Sequence, residues 1–314
     1  MGKVLVTGAS GFIARALIPA LTEHFRVRAA SRRCSELPFG EDVERVASPQ
    51  LGSGEPWGAA LADVDAVMHL AALAHVPPGS DADAERRVRS VNELGAVALA
   101  REAAAAGVRR FVFLSSIKAL AERSSLQPLR PDDVPRPEDS YGRAKLAAEQ
   151  GLWQVAAETG LEVVVVRPPL VYGPAAKGNF AQLVRAVARG VPLPFGALQN
   201  RRSLVSVSNL SDALRACIDA PLAAGRVVHV ADERPVSTRE LVELIARGLG
   251  TPARLVRVPP SVLGLALRAL GRRGMADRLL GSLEVDITEA RQVLGWTPQL
   301  TPELAIPQAA RGLA

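Results

Sequence analysis

The feature that most constrains this chain is a glycine-bearing turn between a β-branched run and an apolar helix pattern, Thr7-Gly8-Ala9-Ser10-Gly11-Phe12-Ile13-Ala14. Val4-Leu5-Val6 before it reads as a buried strand, and Phe12 to His24 after it reads as a helix. Gly8 allows the tight turn. Gly11 lets an anion approach the backbone N–H groups at the positive end of the helix. Ala14 is small enough for close packing of helix on strand. Such a junction at the head of a βαβ unit predicts a dinucleotide site in which Gly8, Ser10, Gly11, Phe12 and Ile13 take part.

The alternation continues. Val27 to Ala30, Ala66 to Leu70, Phe111 to Leu114 and Val163 to Val166 are further strand candidates; Ala84 to Gly107 and Tyr141 to Thr159 are helix candidates. The reading is an α/β fold, a Rossmann-type doubly wound parallel sheet. Pro and Gly become frequent after Arg167, where the βα alternation is expected to stop. One more strand is expected at Val227 to Val230. A helix then opens at Ser237 or Thr238, with Leu241, Leu244 and Ile245 on its inner face. The expected division is a dinucleotide-binding domain over 1–168, its sheet rejoined near 204–232. A smaller C-terminal substrate-binding lobe takes 169–203 and 233–314.

Composition narrows the partners. With 48% hydrophobic and 22% charged residues the chain is not disordered, and two cysteines, Cys34 and Cys217, cannot staple a small fold. The net charge of +6 is spread, and the aromatic content of 4% is poor for stacking bases. A small anionic ligand, not nucleic acid, is the expected partner. No run of about 18 apolar residues exists, and the longest candidate, Val262 to Leu270, is broken by Arg268. The opening residues read as a strand and not as a signal peptide, so a cytoplasmic protein without a membrane span is expected. His24, His69, His75 and His229 have no ligand spacing, and no metal is expected.

Two further segments carry chemistry. The second strand ends in Ala30-Ser31-Arg32-Arg33, with no acid until Glu36. Ser31, Arg32 and Arg33 suit a ribose 2′-phosphate, which favours NADP(H) and leaves NAD(H) as the alternative. In Tyr141-Gly142-Arg143-Ala144-Lys145 the i,i+4 spacing sets Tyr141 and Lys145 on one face. An ammonium beside a phenol favours phenolate, the form needed for acid–base work. Ser115-Ser116 ends a central strand at the carboxyl edge, where α/β ligand sites lie.

Several segments jointly resemble the extended short-chain dehydrogenase/reductase family, in its NAD-dependent epimerase/dehydratase branch acting on nucleotide sugars. They are the glycine turn, Met68 to Ala72, Val91 to Gly95, Phe113 to Ser116, the Tyr141–Lys145 motif, Arg167 to Pro174 and Leu294 to Pro298. The resemblance implies that a serine and Tyr141 bond the reacting oxygen and that Lys145 also holds the nicotinamide ribose. Ser116, 25 positions before Tyr141, is preferred to Ser115. Leu70, Ala71, Ala72 and Asn92 would lie along the cofactor, with Pro168 following the nicotinamide. Asn179, Leu193, Phe195 and Arg202 would bind the nucleotide, with Arg278 as a second arginine, although Ser282 stands where an acid is usual. Arg201 is expected to be a solvated neighbour. A homodimer is the expected assembly.

Ser116 is followed by Ile117-Lys118-Ala119, without the Asp-Glu pair of sugar dehydratases, which argues against dehydration. The segment resembles 4-ketoreductases of UDP-N-acetyl-quinovosamine and related surface-polysaccharide sugars. Lys118 is expected to face solvent or, as the alternative, to reach a substrate phosphate or acyl group. The leading expectation is hydride transfer from NAD(P)H to C4 of a nucleotide-linked 4-ketohexose. The alternative is a UDP-sugar 4-epimerase with tightly held NAD+. A dinucleotide-sensing protein or a reductase of a non-nucleotide carbonyl stands behind both.

Overall fold

The computed structural model describes residues 1–74, 82–125, 127–271 and 273–313; the side chains of 273, 275, 277 and 278 lie outside the described residues. In chain order the strands are β1 (Lys3–Thr7), β2 (Arg26–Ser31), β3 (Val43–Ala47), β4 (Ala66–His69), β5 (Arg110–Leu114), β6 (Glu162–Arg167), β7 (Leu170–Tyr172), β8 (Leu204–Ser206) and β9 (Arg226–His229). Seven form one sheet in the order β3-β2-β1-β4-β5-β6-β9, and every pairing is parallel.

Alternate residues of each strand feed opposite layers, as the pleat requires. Val4, Val6, Met68, Val112, Val164 and Val166 pack beneath helices Phe12–Thr22 and Val207–Asp219. Leu5, Val67, Phe111, Phe113, Val163 and Val165 pack beneath helices Gly95–Ala105 and Ser140–Thr159. Strands covered on both faces must be apolar throughout, which is why they read as unbroken β-branched runs. The winding direction reverses between β1 and β4, so the crevice at their carboxyl ends is the place where such a sheet accepts a ligand.

Three strands escape the sequence pattern. β3 carries Glu44, which pairs with Arg28 at 2.8 Å and Lys3 at 3.5 Å, so its sheet-edge position hides its β character. β7 and β8 are three residues each and lie among prolines and glycines. The expected end of βα alternation after Arg167 is therefore corrected: helices Asn179–Ala188 and Val207–Asp219 alternate with β7, β8 and β9. β7 and β8 pair with each other outside the main sheet. Around them Tyr172, Phe180, Leu193, Phe195, Ile245 and Ile306 form a separate apolar cluster. Of the two proposed starts for the next helix, Ser237 is the cap: its hydroxyl accepts from the Glu240 N–H at 3.0 Å.

One buried junction joins the lobe to the sheet. The Tyr172 hydroxyl donates to Asp232 at 2.6 Å, and Asp232 also accepts from the Ser206 N–H and the Asn209 amide. Asn209 in turn donates to the Leu300 carbonyl at 2.8 Å. Among the described residues no helix is long and apolar enough to cross a membrane.

Candidate active site

The site begins at the carboxyl end of β1. Gly8 has φ +68, and a Cβ there would stand 2.8 Å from the Ala71 backbone, so only glycine fits. The Gly11 N–H closes the turn on the Gly8 carbonyl at 2.9 Å. Gly11 is the N-cap of helix Phe12–Thr22 and gives it no side-chain bond, which leaves first-turn N–H groups facing the exposed Ser10–Gly11 rim. Uncapped donors at a positive helix end, with glycine in place of side chains, fit a dinucleotide pyrophosphate. Phe12 and Ile13 are half-buried beside this rim.

At the end of β2, Ser31 is buried while Arg32 and Arg33 are exposed. Arg33 pairs with Glu36 at 3.2 Å, so the two arginines are not equivalent. Leu70 and Ala71 are half-buried and Ala72 is exposed, on the loop that leaves β4. Asn92 is buried. Its amide accepts from the Leu73 N–H at 2.7 Å and donates to the Leu73 carbonyl at 3.0 Å, so it holds the loop. Asn92 lies in a π-helical turn, Ser90–Leu94, between helices Ala82–Arg89 and Gly95–Ala105. The extra residue of that turn aims its side chain at Leu73, a detail that apolar spacing alone does not disclose.

The expected proton-handling residues lie beyond β5. Ser115 is buried and bonds Glu149, whereas the half-buried Ser116 caps a short turn, accepting from the Lys118 N–H at 3.2 Å. Only Ser116 keeps an open side. Pro168, at the end of β6, accepts from the Ile117 N–H at 2.9 Å and ties the two strand ends together. Helix Ser140–Thr159 starts at Asp139, whose carboxylate accepts from the Gly142 N–H at 2.7 Å. Gly142 must lack a side chain because a Cβ would overlap the Lys118 carbonyl. Tyr141 and Lys145 share a face, with the ammonium 6.0 Å from the Tyr141 ring centre. Lys145 is buried, lies 4.4 Å above the Phe113 ring and donates to the Leu114 carbonyl at 2.8 Å.

Electrostatics here departs from the simple tyrosine–lysine expectation. Burial pushes the Lys145 amine down to about 7, although Glu149 pulls it back upward. Burial, with a smaller push from Asp139, raises the Tyr141 phenol, so without ligand the neutral phenol is favoured and Lys145 does not outweigh desolvation. Lys118 also departs from both of its expected roles. Its ammonium is bonded to Asp139 at 2.5 Å and Glu122 at 2.9 Å. Two carboxylates, Glu122 and Asp139, thus meet at this lysine, which holds both. Burial alone would raise Asp139; its bonds from Lys118 and Gly142 keep it below its ordinary range.

Behind this surface lies a buried ion pair. Glu149, one turn beyond Lys145, accepts from Arg167 Nε at 3.0 Å and Nη2 at 2.6 Å. Arg167 precedes Pro168, so the pair locks the catalytic helix to the end of β6. Glu149, Arg167, Glu122 and Asp139 were missed in the sequence. The available signal was a charge on an otherwise apolar face, and an aspartate just before a helix.

The expected substrate residues lie in the lobe. Asn179 is exposed at the start of helix Asn179–Ala188; Leu193 and Phe195 are each 9% exposed within the lobe cluster. Arg202 Nη1 donates to the Gly281 carbonyl at 3.1 Å, and the Asn200 amide donates to the Leu279 and Gly281 carbonyls. Arg201 is exposed and pairs with Glu284. Arg278 is in helix Arg273–Leu280, but its side chain lies outside the described residues, as does His75. Among the described residues no group of three or more His, Cys, Asp or Glu is arranged to hold a metal.

Residues 4–231 match the model of the NAD dependent epimerase/dehydratase family. The chain belongs to that family. It is 38% identical to a UDP-glucose 4-epimerase from Vibrio cholerae, over 98% of this chain and 94% of that one. A 3-beta-hydroxysteroid dehydrogenase from Mycolicibacterium neoaurum is 26% identical over 98% of this chain and 90% of its own length. The solved structure of MoeE5 in complex with UDP-glucose and NAD superposes with a TM-score of 0.79 at 27% identity, covering 99% of this chain and 98% of that one. As a family member the chain is an NAD(P)-dependent enzyme of the extended short-chain dehydrogenase/reductase type.

Proposed function

We propose that the protein is a UDP-sugar 4-epimerase that keeps NAD bound through the cycle. The observation that carries this reading is the 38% identity, over nearly the whole chain, to a relative named for that activity. The gathering of Ser116, Tyr141 and Lys145 at one strand edge supports it. When bound, the nicotinamide would supply a reversible hydride acceptor. Tyr141 takes the proton of the sugar 4-hydroxyl as the C4 hydride leaves, and gives it back after the ketone has turned its other face. Ser116 donates to the same oxygen. Lys145 would steady the phenolate, although by itself it does not outweigh the burial that favours the neutral phenol. Gly8, Ser10, Gly11, Phe12 and Ile13 would line the pyrophosphate. Leu70, Ala71, Ala72 and Pro168 would line the rest of the cofactor, on a loop held by Asn92. Asn179, Arg202 and Arg278 would hold the nucleotide diphosphate, with Leu193 and Phe195 shaping the base pocket. The division at residue 168, a homodimer and a cytoplasmic location belong to the same proposal.

A second reading, an NAD(P)H-dependent 4-ketoreductase, draws on the end of β2, where Arg32 is exposed and no acid stands ready for a ribose hydroxyl. An exchangeable, phosphorylated cofactor suits that end. One experiment separates the two. The purified protein is given UDP-glucose, UDP-galactose and their N-acetylated counterparts with no added cofactor, and the sugars are followed by NMR. Interconversion without net change in nicotinamide absorbance is expected. No interconversion, with stoichiometric NADPH consumption on a UDP-4-keto sugar, would replace the epimerase by the reductase.

A further inference from the structure

Between Gly250 and Asp277 the chain holds five arginines and no acidic residue. Without them basic and acidic residues would nearly balance (38 − 5 against 32), so this stretch carries most of the net charge of +6. It includes helix Pro260–Ala269, which is apolar on both sides. Leu263, Gly264 and Leu267 face the lobe core. Val262, Leu265, Ala266 and Ala269 recur at helical spacing on the opposite side and are exposed, Leu265 at 72%. Leu270, at the end of the helix, is 71% exposed, and Val256 in the same stretch is 49% exposed. A soluble helix ordinarily turns a polar face outward; this one does not.

The stretch that carries the strip is basic. Arg254, Arg257 and Arg268 within it are exposed. Some exposed arginines elsewhere sit beside carboxylates, as in Arg101–Glu158, Arg109–Glu162, Arg226–Glu289 and Arg239–Glu243. Among the described residues neither Arg254 nor Arg257 pairs with a carboxylate. Long basic side chains around exposed leucines allow the apolar parts to sink while the guanidinium groups stay at headgroup level. We propose that helix Pro260–Ala269, with Arg254, Arg257 and Arg268, is a reversible docking surface for an anionic phospholipid bilayer.

Three other occupants fit less well. A second copy seated symmetrically on the same strip would bring arginines together with no carboxylate in the stretch to meet them. A nucleic acid would leave Leu265 and Leu270 uncovered, and the stretch has no aromatic side chain to stack on bases. A stable protein partner needs about 20–30 residues a side, far more than one ten-residue helix presents. The position of the strip gives docking a consequence. Gly264 packs against Leu280, and the Leu279 and Gly281 carbonyls are held by Asn200 and Arg202. The bilayer would therefore lie on the outer side of the segment that closes the lobe.

The test is co-sedimentation of the full chain with large vesicles of phosphatidylglycerol mixed with phosphatidylcholine, against phosphatidylcholine alone. At ionic strength near 0.01 M the mixed vesicles should bind about tenfold more protein, and near 1 M, where the Debye length is about 3 Å, most of that excess should vanish. Leu265→Gln with Leu270→Gln should reduce binding by about tenfold while turnover and melting midpoint stay unchanged, since both side chains are exposed. Arg254→Gln with Arg257→Gln should act in the same direction. Equal binding to both vesicle types would overturn the proposal, and so would wild-type binding by the leucine variant. A leucine variant that changes only oligomeric state, with no vesicle binding by either protein, would also overturn it and assign the strip to a contact between copies. None of these readouts depends on the sugar substrate, so failure here leaves the epimerase reading standing.

Discussion

The buried pair Glu149–Arg167 offers a perturbation whose size follows from its surroundings. The side chains are 2% and 5% exposed, and among the described residues the Arg167 guanidinium has one other hydrogen bond, from Nη1 to the Pro131 carbonyl at 3.3 Å. Glu149→Gln keeps the shape but strands a guanidinium in the interior. Removing one partner of such a pair costs about 3–5 kcal/mol. An unfolding entropy of about 2.1 cal/mol/K per residue over 314 residues is about 0.66 kcal/mol/K, so the melting midpoint should fall by about 5–8 °C. Calorimetry reads this directly. Glu149→Leu with Arg167→Leu should recover the larger part of the loss, because no charge is left unpaired. Glu243→Gln, at the exposed pair with Arg239, should leave the midpoint where it was. A fall of less than about 2 °C for Glu149→Gln, or a double variant lower than the single one, would refute this account of the pair.

Tyr141→Phe should lower turnover by about 10²-fold or more while cofactor affinity, measured by fluorescence titration, changes little; retention of a tenth of the rate would remove Tyr141 from its role. Lys118→Met should uncover the negative charge of Asp139 beside Tyr141, raise the phenol further and move the limb of kcat that rises with pH to higher pH. Adding Asp139→Asn should move it back, and an unmoved limb in both would sever that link. Arg32→Ala should weaken NADPH by about tenfold or more and NADH far less, whereas equal losses would make Arg32 a surface charge only. His69 and His229 are held neutral by burial, with pKa values pushed down to about 3 and about 4. The unfolded chain therefore binds more protons below the ordinary histidine value near ~6.5, so stability is full above it and falls by about 1.4 kcal/mol per histidine per pH unit as pH drops toward about 4. Urea midpoints that stay flat from about pH 6.5 to about 4.5 would contradict the burial of these rings.

Much of this arrangement was legible because it follows from short-range rules. The β1 turn required a glycine where a Cβ would stand 2.8 Å from the Ala71 backbone, and Gly8 stands there in the sequence. The i,i+4 spacing of Tyr141 and Lys145 fixes a shared face whatever the rest of the fold does. What stayed hidden depends on contacts between distant segments. β3 gave no apolar strand signal because its Glu44 is answered by Arg28 of β2 and Lys3 of β1. Of the two partners of Lys118, Glu122 is four positions away, but Asp139, which ties it to the helix of Tyr141, is 21 positions away. The raised Tyr141 phenol could not be foreseen from the motif, since burial is a property of the folded site.

The strand order also fixes a timetable for synthesis. Residues up to 168 contain Ser116, Tyr141, Lys145 and the six strands from β3 to β6, yet the neighbour that closes the far side of β6 is β9, with Val164 opposite Arg226. A nascent chain must therefore emerge for about sixty more residues while Val163 to Val166 presents an open hydrogen-bonding edge. That edge is apolar, flat-sided and able to accept a strand from another unfinished copy. Chains stopped between the end of β6 and the start of β9 would hold every proton-handling residue and still be the form most prone to aggregate.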